Sequence, residues 1–364
     1  MLAPSSVTPK AAQNQAKPST LRRLLSTLTV VVAVGYPLGL LAAILLFRFV
    51  GERWWVAAVG MYLPRMAFAV PLPVVIIAAA LWGPRWALAT QALSTYLVLF
   101  LLMGLNLGLG GLAASSSGPS IRVVSYNIDS GMQGADPVMG QIKAFAPDVV
   151  VLQEADSQVA RLLTAMLDGW HVDRHGQFMA ASRWPIRDVY VPPDLVYAKG
   201  KGGARYVRYT LETPFGLVDL FNMHPTSPRE GFEELRGSGF RYELQAGRIF
   251  GRVARNRVEF NAFRRRRQVA GIAAAARASS RPVIIAGDTN LPGLSWLYGV
   301  SLGSFRDGFS SAGRGFGYTF PSKHPWMRID RIMTNDRLQI TSFGVGDRPA
   351  SDHFCVFAVI APAE

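Results

Sequence analysis

Eight polar side chains in this 364-residue chain stand at the ends of apolar runs: Asn127, Glu154, His224, Asp288, Asn290, Asp330, Asp352 and His353. Carboxylates and amides are hard oxygen donors of the kind Mg²⁺ and Mn²⁺ prefer over zinc sites, and an imidazole beside a carboxylate can take or give a proton near neutral pH. Such a set suits activation of a water molecule next to a divalent cation. Each residue alone has a plainer explanation. Asn127 fits a turn, Glu154 a helix cap, Asp288 and Asn290 an Asx-turn, and His224 an ordinary loop histidine. Eight of them on six segments are harder to dismiss together.

The segments that must position them read mostly as buried strands. Ile121 to Ile128 is β-rich and leads into a loop containing Gly and Asp, which predicts a strand delivering Asn127. Pro137 to Phe145 predicts a short helix, and Asp148 to Leu152 (DVVVL) a fully buried strand ending at Gln153 and Glu154. Tyr206 to Leu211 and Leu217 to Met223 predict a hairpin whose second strand stops at His224. After a helix over Phe260 to Arg277, Pro282 to Ala286 predicts another buried strand, followed by Gly287, Asp288, Thr289 and Asn290. Arg328 to Met333 carries Asp330 in an apolar strand, and Ser351, Asp352 and His353 lead into a last strand over Phe354 to Ile360. Strand ends of this kind can aim their side chains into one cleft.

Upstream of these strands the chain changes character. Leu28 to Phe47 runs without a charge for about the length a helix needs to cross the hydrocarbon core. Met66 to Trp82 and Trp86 to Leu109 predict two further spans, with Arg65 snorkelling to the interface and Gln91, Ser94, Thr95 and Asn106 facing neighbouring helices. Trp54, Trp55, Trp82 and Trp86 fall at segment ends, where an interfacial belt would place them. Residues 25–109 are thus expected to be a membrane domain, residues 1–24 a disordered tail, residues 110–120 a flexible linker and residues 121–364 a separate catalytic domain. Lys10, Lys17, Arg22, Arg23 and Arg85 lie on one face, against Arg48, Arg53, Arg65 and Arg122 on the other. That bias favours a cytoplasmic tail and puts the large domain on the extracytoplasmic, periplasmic side of the inner membrane.

Residues 1–120 hold eight Lys/Arg and one acidic residue, Glu52, which leaves the rest with a surplus of seven positive charges. Most of that surplus sits between Arg229 and Arg267, with eleven arginines against five glutamates. Aromatics interleave with them, an arrangement that suits bases and phosphates or an anionic lipid surface, and equally a solvated helix face. The single cysteine, Cys355, excludes an internal disulfide and leaves the compartment open.

In order along the chain, the strings SYNI around Asn127, VVLQE ending at Glu154, SRWPI at 182–186, NMHP around His224, IIAGDTN with Asp288 and Asn290, RIDRI with Asp330 and SDHF with Asp352 and His353 resemble the endonuclease/exonuclease/phosphatase superfamily. This superfamily includes pancreatic-type deoxyribonucleases, abasic-site endonucleases, neutral sphingomyelinases and inositol polyphosphate 5-phosphatases. The resemblance covers about Arg122 to Val359. It implies a DNase I-like α/β four-layer sandwich behind the transmembrane helices, with two mixed β-sheets face to face, helices outside, and the cleft at one end of the sheets.

The resemblance also implies roles. Glu154 would bind Mg²⁺ or Mn²⁺, with Asn127 as a further ligand or its support and Asp352 completing that site or holding a second ion. His353, oriented by Asp330, would be the base or would hold the scissile phosphate, with Asp288 the competing base. Asn290 and His224 would contact phosphoryl or leaving oxygens, Arg183 is a further phosphate-binding candidate near the cleft or else a surface arginine after a strand, and Thr226 and Ser227 are weaker candidates for phosphate contact, with ordinary turn chemistry as the alternative. The expected function is a membrane-anchored phosphodiesterase, nuclease or phosphatase acting on nucleic acid or a lipid headgroup. The alternative is a catalytically silent membrane receptor or scaffold that keeps the fold to bind an anionic ligand.

Overall fold

The computed structural model describes residues 19–110, 118–155, 158–197, 200–233, 237–247 and 251–363. The expected tail up to residue 18 and the expected linker over 111–117 lie outside these residues. The first helix, α1 (Thr20–Leu45), starts where the Ser19 hydroxyl accepts from the Arg22 N–H, so the last residues assigned to the tail are helical. After it come α2 (Trp55–Met61), α3 (Leu72–Trp82) and α4 (Arg85–Tyr96). With their helical extensions, Thr20–Arg53, Arg65–Trp82 and Arg85–Leu102 are long and apolar enough to cross a membrane. As expected, Gln91 faces a neighbour and donates to the Ala33 carbonyl of α1.

Two expectations for this part are corrected. The third helix stops at Leu102 rather than Leu109, because Gly104 and Gly108 adopt left-handed φ angles of 77°. Asn106 therefore leaves the bundle: it forms a β-bridge with Gly315 and its amide donates to the Phe309 carbonyl at 2.7 Å. Arg65 does not snorkel. It is buried and donates to the Met61 and Leu102 carbonyl oxygens, with its guanidinium 4.9 Å from the centre of the Phe47 ring.

The rest of the chain builds two six-stranded mixed sheets. The first uses β1 (Ile121–Asn127), β2 (Val149–Gln153), β3 (His171–His175), β4 (Phe178–Ser182), β13 (Leu338–Val345) and β14 (Val356–Pro362), in the order β13-β14-β1-β2-β4-β3. The second uses β5 (Ile186–Tyr190), β8 (Tyr206–Thr213), β9 (Gly216–Met223), β10 (Val283–Asp288), β11 (Arg306–Asp307) and β12 (Asp330–Thr334), in the order β11-β12-β10-β9-β8-β5. A separate ribbon pairs β6 (Leu195–Tyr197) with β7 (Gly200–Gly202).

Period-two alternation explains the layering. Val123, Val149, Val151 and Ala180 point inward to meet Tyr209, Leu220, Ile284 and Ile332 of the second sheet. Their neighbours Val124, Val150, Leu152 and Met179 point outward under α5 (Ala135–Ala144) and α6 (Gln158–Met166). On the other side, Phe221, Val283 and Ile285 pack under α8 (Arg252–Ala278) and α9 (Trp296–Ser301). A shorter helix, α7 (Gly237–Gln245), precedes α8. Strands covered on both faces need continuous apolar runs, which is why VVVL and VIIA stood out in the sequence.

The apolar helices do not hang from the sandwich by a tether. Buried Glu52, just after α1, accepts from the Ser295 hydroxyl and from the Leu297 N–H at the start of α9, where a carboxylate also meets the positive end of the helix. Tyr318 donates to the Met103 carbonyl at 2.9 Å, and Tyr62 donates to the Asn290 carbonyl at 2.8 Å. Glu52→Ala strands the Ser295 hydroxyl and one helix N–H in a buried setting. It is expected to destabilise the full-length protein by about 1–3 kcal/mol. Thermal unfolding in detergent micelles checks this, and an unchanged midpoint would show that the seam contributes nothing.

Candidate active site

Strand direction gathers the polar residues. β1 runs parallel to β2 and β9 parallel to β10, so Asn127, Glu154, His224 and Asp288 leave their strands at the same edge of the sandwich. β12 and β14 run antiparallel to β10 and β1, so Asp330 and His353 reach that edge from the opposite direction, with Asp330 directly paired to Asp288 in register. Below them Gln153 donates to Asn222 at 2.7 Å, and Asn222 donates to the Leu152 carbonyl at 2.9 Å, which locks the two sheets together under the site.

Asp288 sits at the centre. Its Oδ2 lies 3.3 Å from the Asn127 amide nitrogen, 3.5 Å from His224 Nε2 and 3.7 Å from His353 Nε2, while Oδ1 accepts from the Asn290 N–H at 2.8 Å. Burial opposes its charge, yet the two imidazoles and the Asn290 N–H outweigh burial and hold the carboxyl down at about 2. His353 Nδ1 is 2.9 Å from Asp330 Oδ2, which directs Nε2 toward Asp288. Burial opposes the imidazolium too, but Asp330 and Asp288 push it up to about 10. Burial raises the Asp330 carboxyl, against the pull of His353. Among the described residues, ligand atoms of Asp288, Asp330 and His353 lie within 4.8 Å of one another.

His224 is held from behind by Gln177, 2.7 Å from Nδ1, and turns Nε2 toward Glu154 at 3.6 Å. The Asn127 amide nitrogen bridges Glu154 and Asp288, and its carbonyl oxygen accepts from the Asp129 N–H at 3.1 Å. Asn127 therefore stands as a spacer between two carboxylates, with its oxygen turned to the backbone. Glu154, with φ 54°, and Asn290, with φ 51°, both occupy the left-handed region, an unfavourable backbone state that persists where surrounding contacts fix it.

Glu154, His224, Asp288, Asn290, Asp352 and His353 line a cleft of about 290 Å³ together with Asp129, Arg229, Phe232, Phe320, Trp326 and Tyr62. Asp129, Glu154 and Asp352 form its acidic side. Burial, followed by the Asp352 and Glu154 charges, pushes the Asp129 carboxyl up, a crowding that a divalent cation would relieve. About a third of the Glu154 and Asp352 side chains is open, at 34% and 32%. Oxygen donors with room for water suit Mg²⁺ or Mn²⁺, which keep part of their hydration shell. The Asp288–Asp330–His353 group is buried, which leaves less room for the water such ions keep.

Asn290 donates its amide to the Pro225 carbonyl at 3.0 Å, and Asp352 pairs with Arg229 at 2.8 Å. Arg183 is the residue the structure moves away. β4 runs antiparallel to β2 with Ser182 opposite Val149, so Arg183 falls at the start of β2, about 15 Å from the cleft edge. There it donates to the Pro147 carbonyl and covers Trp170. Thr226 is buried and its N–H donates to Gln268, whereas Ser227 lines the cleft.

Asp129, Gln177, Arg229 and Tyr62 were not singled out from sequence. Asp129 lay in a loop read as connection, and Arg229 was the first of a basic run read as a patch. Gln177 and Tyr62 gave no signal, because their partners are 47 and 228 residues away.

Two mixed sheets between helices, with acids, amides and histidines gathered at one edge, define the DNase I-like fold. The chain belongs to the Endonuclease/Exonuclease/phosphatase family, whose model matches residues 124–353. Among solved structures it is similar to an endonuclease/exonuclease/phosphatase from Bacteroides vulgatus at 17% identity, covering 68% of this chain and 100% of that one, with a TM-score of 0.50. It is also similar to one from Beutenbergia cavernae, at 20% identity over 68% and 72% of the two chains with a TM-score of 0.43. A third is a mannosyl-6-phosphatase from Bacteroides thetaiotaomicron, at 17% identity over 66% and 100% with a TM-score of 0.46. At these identities the likeness is one of fold. No curated protein matches the chain by sequence.

The shifts carry signs that can be tested on metal-free protein. The folded pKa of His353 lies above the ordinary 6.5, so its contribution to stability is complete below about pH 6.5 and is lost as pH rises through about 10. The Asp288 carboxyl is depressed from 3.8, so its contribution is present above about pH 3.8 and is lost as pH falls toward 2. Asp330→Asn should move the His353 titration downward, read from its ring ¹⁵N shifts. An unchanged titration would deny Asp330 its role in holding the imidazolium.

Proposed function

We propose that this chain is a membrane-anchored, divalent-metal-dependent hydrolase of phosphoester bonds. The observation that carries the reading is the meeting, in one cleft, of the buried Asp288 carboxylate with His224 at 3.5 Å and with His353, itself backed by Asp330 at 2.9 Å. Asp288 is kept ionised and His353 is kept protonated, 3.7 Å apart. An ionised carboxylate can accept the proton of an attacking water, whereas an imidazolium can hold a phosphoryl oxygen. This arrangement favours Asp288 as the base and gives His353, oriented by Asp330, the phosphate-holding role. Asn127 keeps Asp288 and Glu154 apart yet aimed at one point. His224, braced by Gln177, faces both from the second sheet and is suited to the phosphoryl or leaving oxygen.

Mg²⁺ or Mn²⁺ would be held by Glu154, with Asp129 and Asp352 as the neighbouring donors, and would supply neutralisation of charge on the phosphoryl and leaving oxygens. Arg229, paired with Asp352 and 4.6 Å from the centre of the Phe320 ring, stands ready to receive a phosphoryl oxygen at the cleft mouth. The three apolar helices supply the anchor. The basic residues Lys10 and Lys17 before α1 and Arg22 and Arg23 in its first turn favour an inner-membrane protein with its catalytic domain on the extracytoplasmic side.

The test uses the full-length protein in detergent micelles, because Glu52 and Tyr62 belong to the same folded unit as the cleft. Hydrolysis of nitrophenyl phosphate esters should vanish on chelation and return with Mg²⁺ or Mn²⁺. Asp288→Asn, His353→Gln and Glu154→Gln should each lower kcat by about a thousandfold with an unchanged far-ultraviolet circular dichroism spectrum. Arg183→Ala should change kcat by less than about threefold. Turnover that persists in chelator, or an Asp288→Asn protein as active as the wild type, overturns the reading.

A further inference from the structure

The phosphoesterase reading leaves the substrate open, and the inference here rests on that reading. We propose that the substrate is a lipid phosphoester, whose phosphate reaches Asp288 and His353 while its hydrocarbon chains stay in a second cleft that leads to the bilayer. This second cleft, of about 270 Å³, lies between the end of the third apolar helix and the loops after β10 and before β12. Phe100, Leu101, Met103, Leu294 and Phe316 line it. Trp326 and Met327 line both clefts, so the two cavities meet at one shared wall.

The height of the second cleft follows from the helices. Arg65 opens the second apolar helix and Leu102 closes the third, and both border it. It therefore sits where hydrocarbon gives way to headgroups, on the side that carries the catalytic sandwich. Around it Leu63, Met66, Leu101, Leu107 and Leu109 are exposed, a surface unfavourable in water and natural against lipid. Arg65, which donates to backbone carbonyls here, stands at the level where the ester groups of a glycerolipid lie.

The catalytic cleft has apolar lining as well: Tyr62, Phe232, Phe320, Trp326 and Ile329 stand among its acids and histidines, with Phe320 4.6 Å from the His353 ring. Tyr62, contributed by the segment between the first two apolar helices, meets Phe232 edge-on at 5.4 Å, and its carbonyl accepts from Trp326. A polyanion would instead need an open basic groove. Beyond Arg229, arginines of the basic stretch are engaged: Arg264 with Glu230, Arg257 with Glu233, and Arg265 buried against Asn261 and Tyr62.

The experiment measures inhibition of nitrophenyl phosphate hydrolysis by phosphatidic acid with two oleoyl chains or with two hexanoyl chains. It uses the full-length protein in micelles with Mg²⁺, with a single-stranded oligonucleotide as a third competitor. The dioleoyl lipid should compete at a concentration at least about tenfold below the dihexanoyl lipid. A Cβ on Gly293 meets nothing within 4 Å, so Gly293→Leu projects into the second cleft without strain, and Leu101→Trp fills it from the helix side. Either variant should erase most of the chain-length preference. A preference that survives both variants reflects micelle partitioning alone and overturns the proposal. So does an oligonucleotide that competes better than the dioleoyl lipid and ignores both substitutions. Wild-type protein that hydrolyses no nitrophenyl phosphate removes the phosphoesterase reading itself, a different outcome from equal potency of the two lipids.

Discussion

A carboxylate buried at the rim of a β-sandwich, with no lysine or arginine among the described residues paired to it, is the constraint around which the site is organised. Moving such a charge out of water costs several kcal/mol unless fixed dipoles and opposite charges replace the lost hydration. Asp288 gains that replacement from Asn127 on β1, His224 after β9, His353 before β14 and the Asn290 N–H. These come from both sheets. The charge therefore stays stable only when the sandwich is assembled in register, and the same contacts keep the carboxylate ionised. Asp330 extends the logic by one step, since it makes His353 a cation and so a suitable neighbour for Asp288.

The apolar helices enter the same argument. Glu52 completes the start of α9, and Tyr62 holds the carbonyl of Asn290, whose own N–H binds Asp288. A segment read as an anchor thus sets the position of a residue beside the central carboxylate. This continuity places one aromatic of the cleft, Tyr62, on the segment between the first two apolar helices.

Much of the sandwich was legible because strands covered on both faces require unbroken apolar runs, and DVVVL and PVIIA have few other uses. The polar residues closing those runs were legible for the same reason, since a run that stops abruptly at Glu154 or Asp288 marks a strand edge. Arg183 misled because its string gives no strand direction, and one antiparallel reversal carries it to the far edge. The third helix was drawn too long because residues 103–109 contain no charge, so hydropathy does not register the two left-handed glycines that end it. The basic stretch was legible as composition, which counts arginines but does not show that Glu230, Glu233 and Glu259 pair with Arg264, Arg257 and Arg255. Glu52 and Tyr62 carry no local signal at all, for their partners lie more than two hundred residues away.

The central claim is a division of labour, in which the open acidic side of the cleft takes the cation and the buried Asp288–His353 pair stays free for the water and the phosphate. Anomalous scattering from crystals of the full-length protein grown with Mn²⁺ tests it most directly. The account predicts a peak about 2.0–2.2 Å from a Glu154 carboxylate oxygen, with Asp129 or Asp352 beside it. A peak seated between Asp288, Asp330 and His353, with none at Glu154, would contradict it.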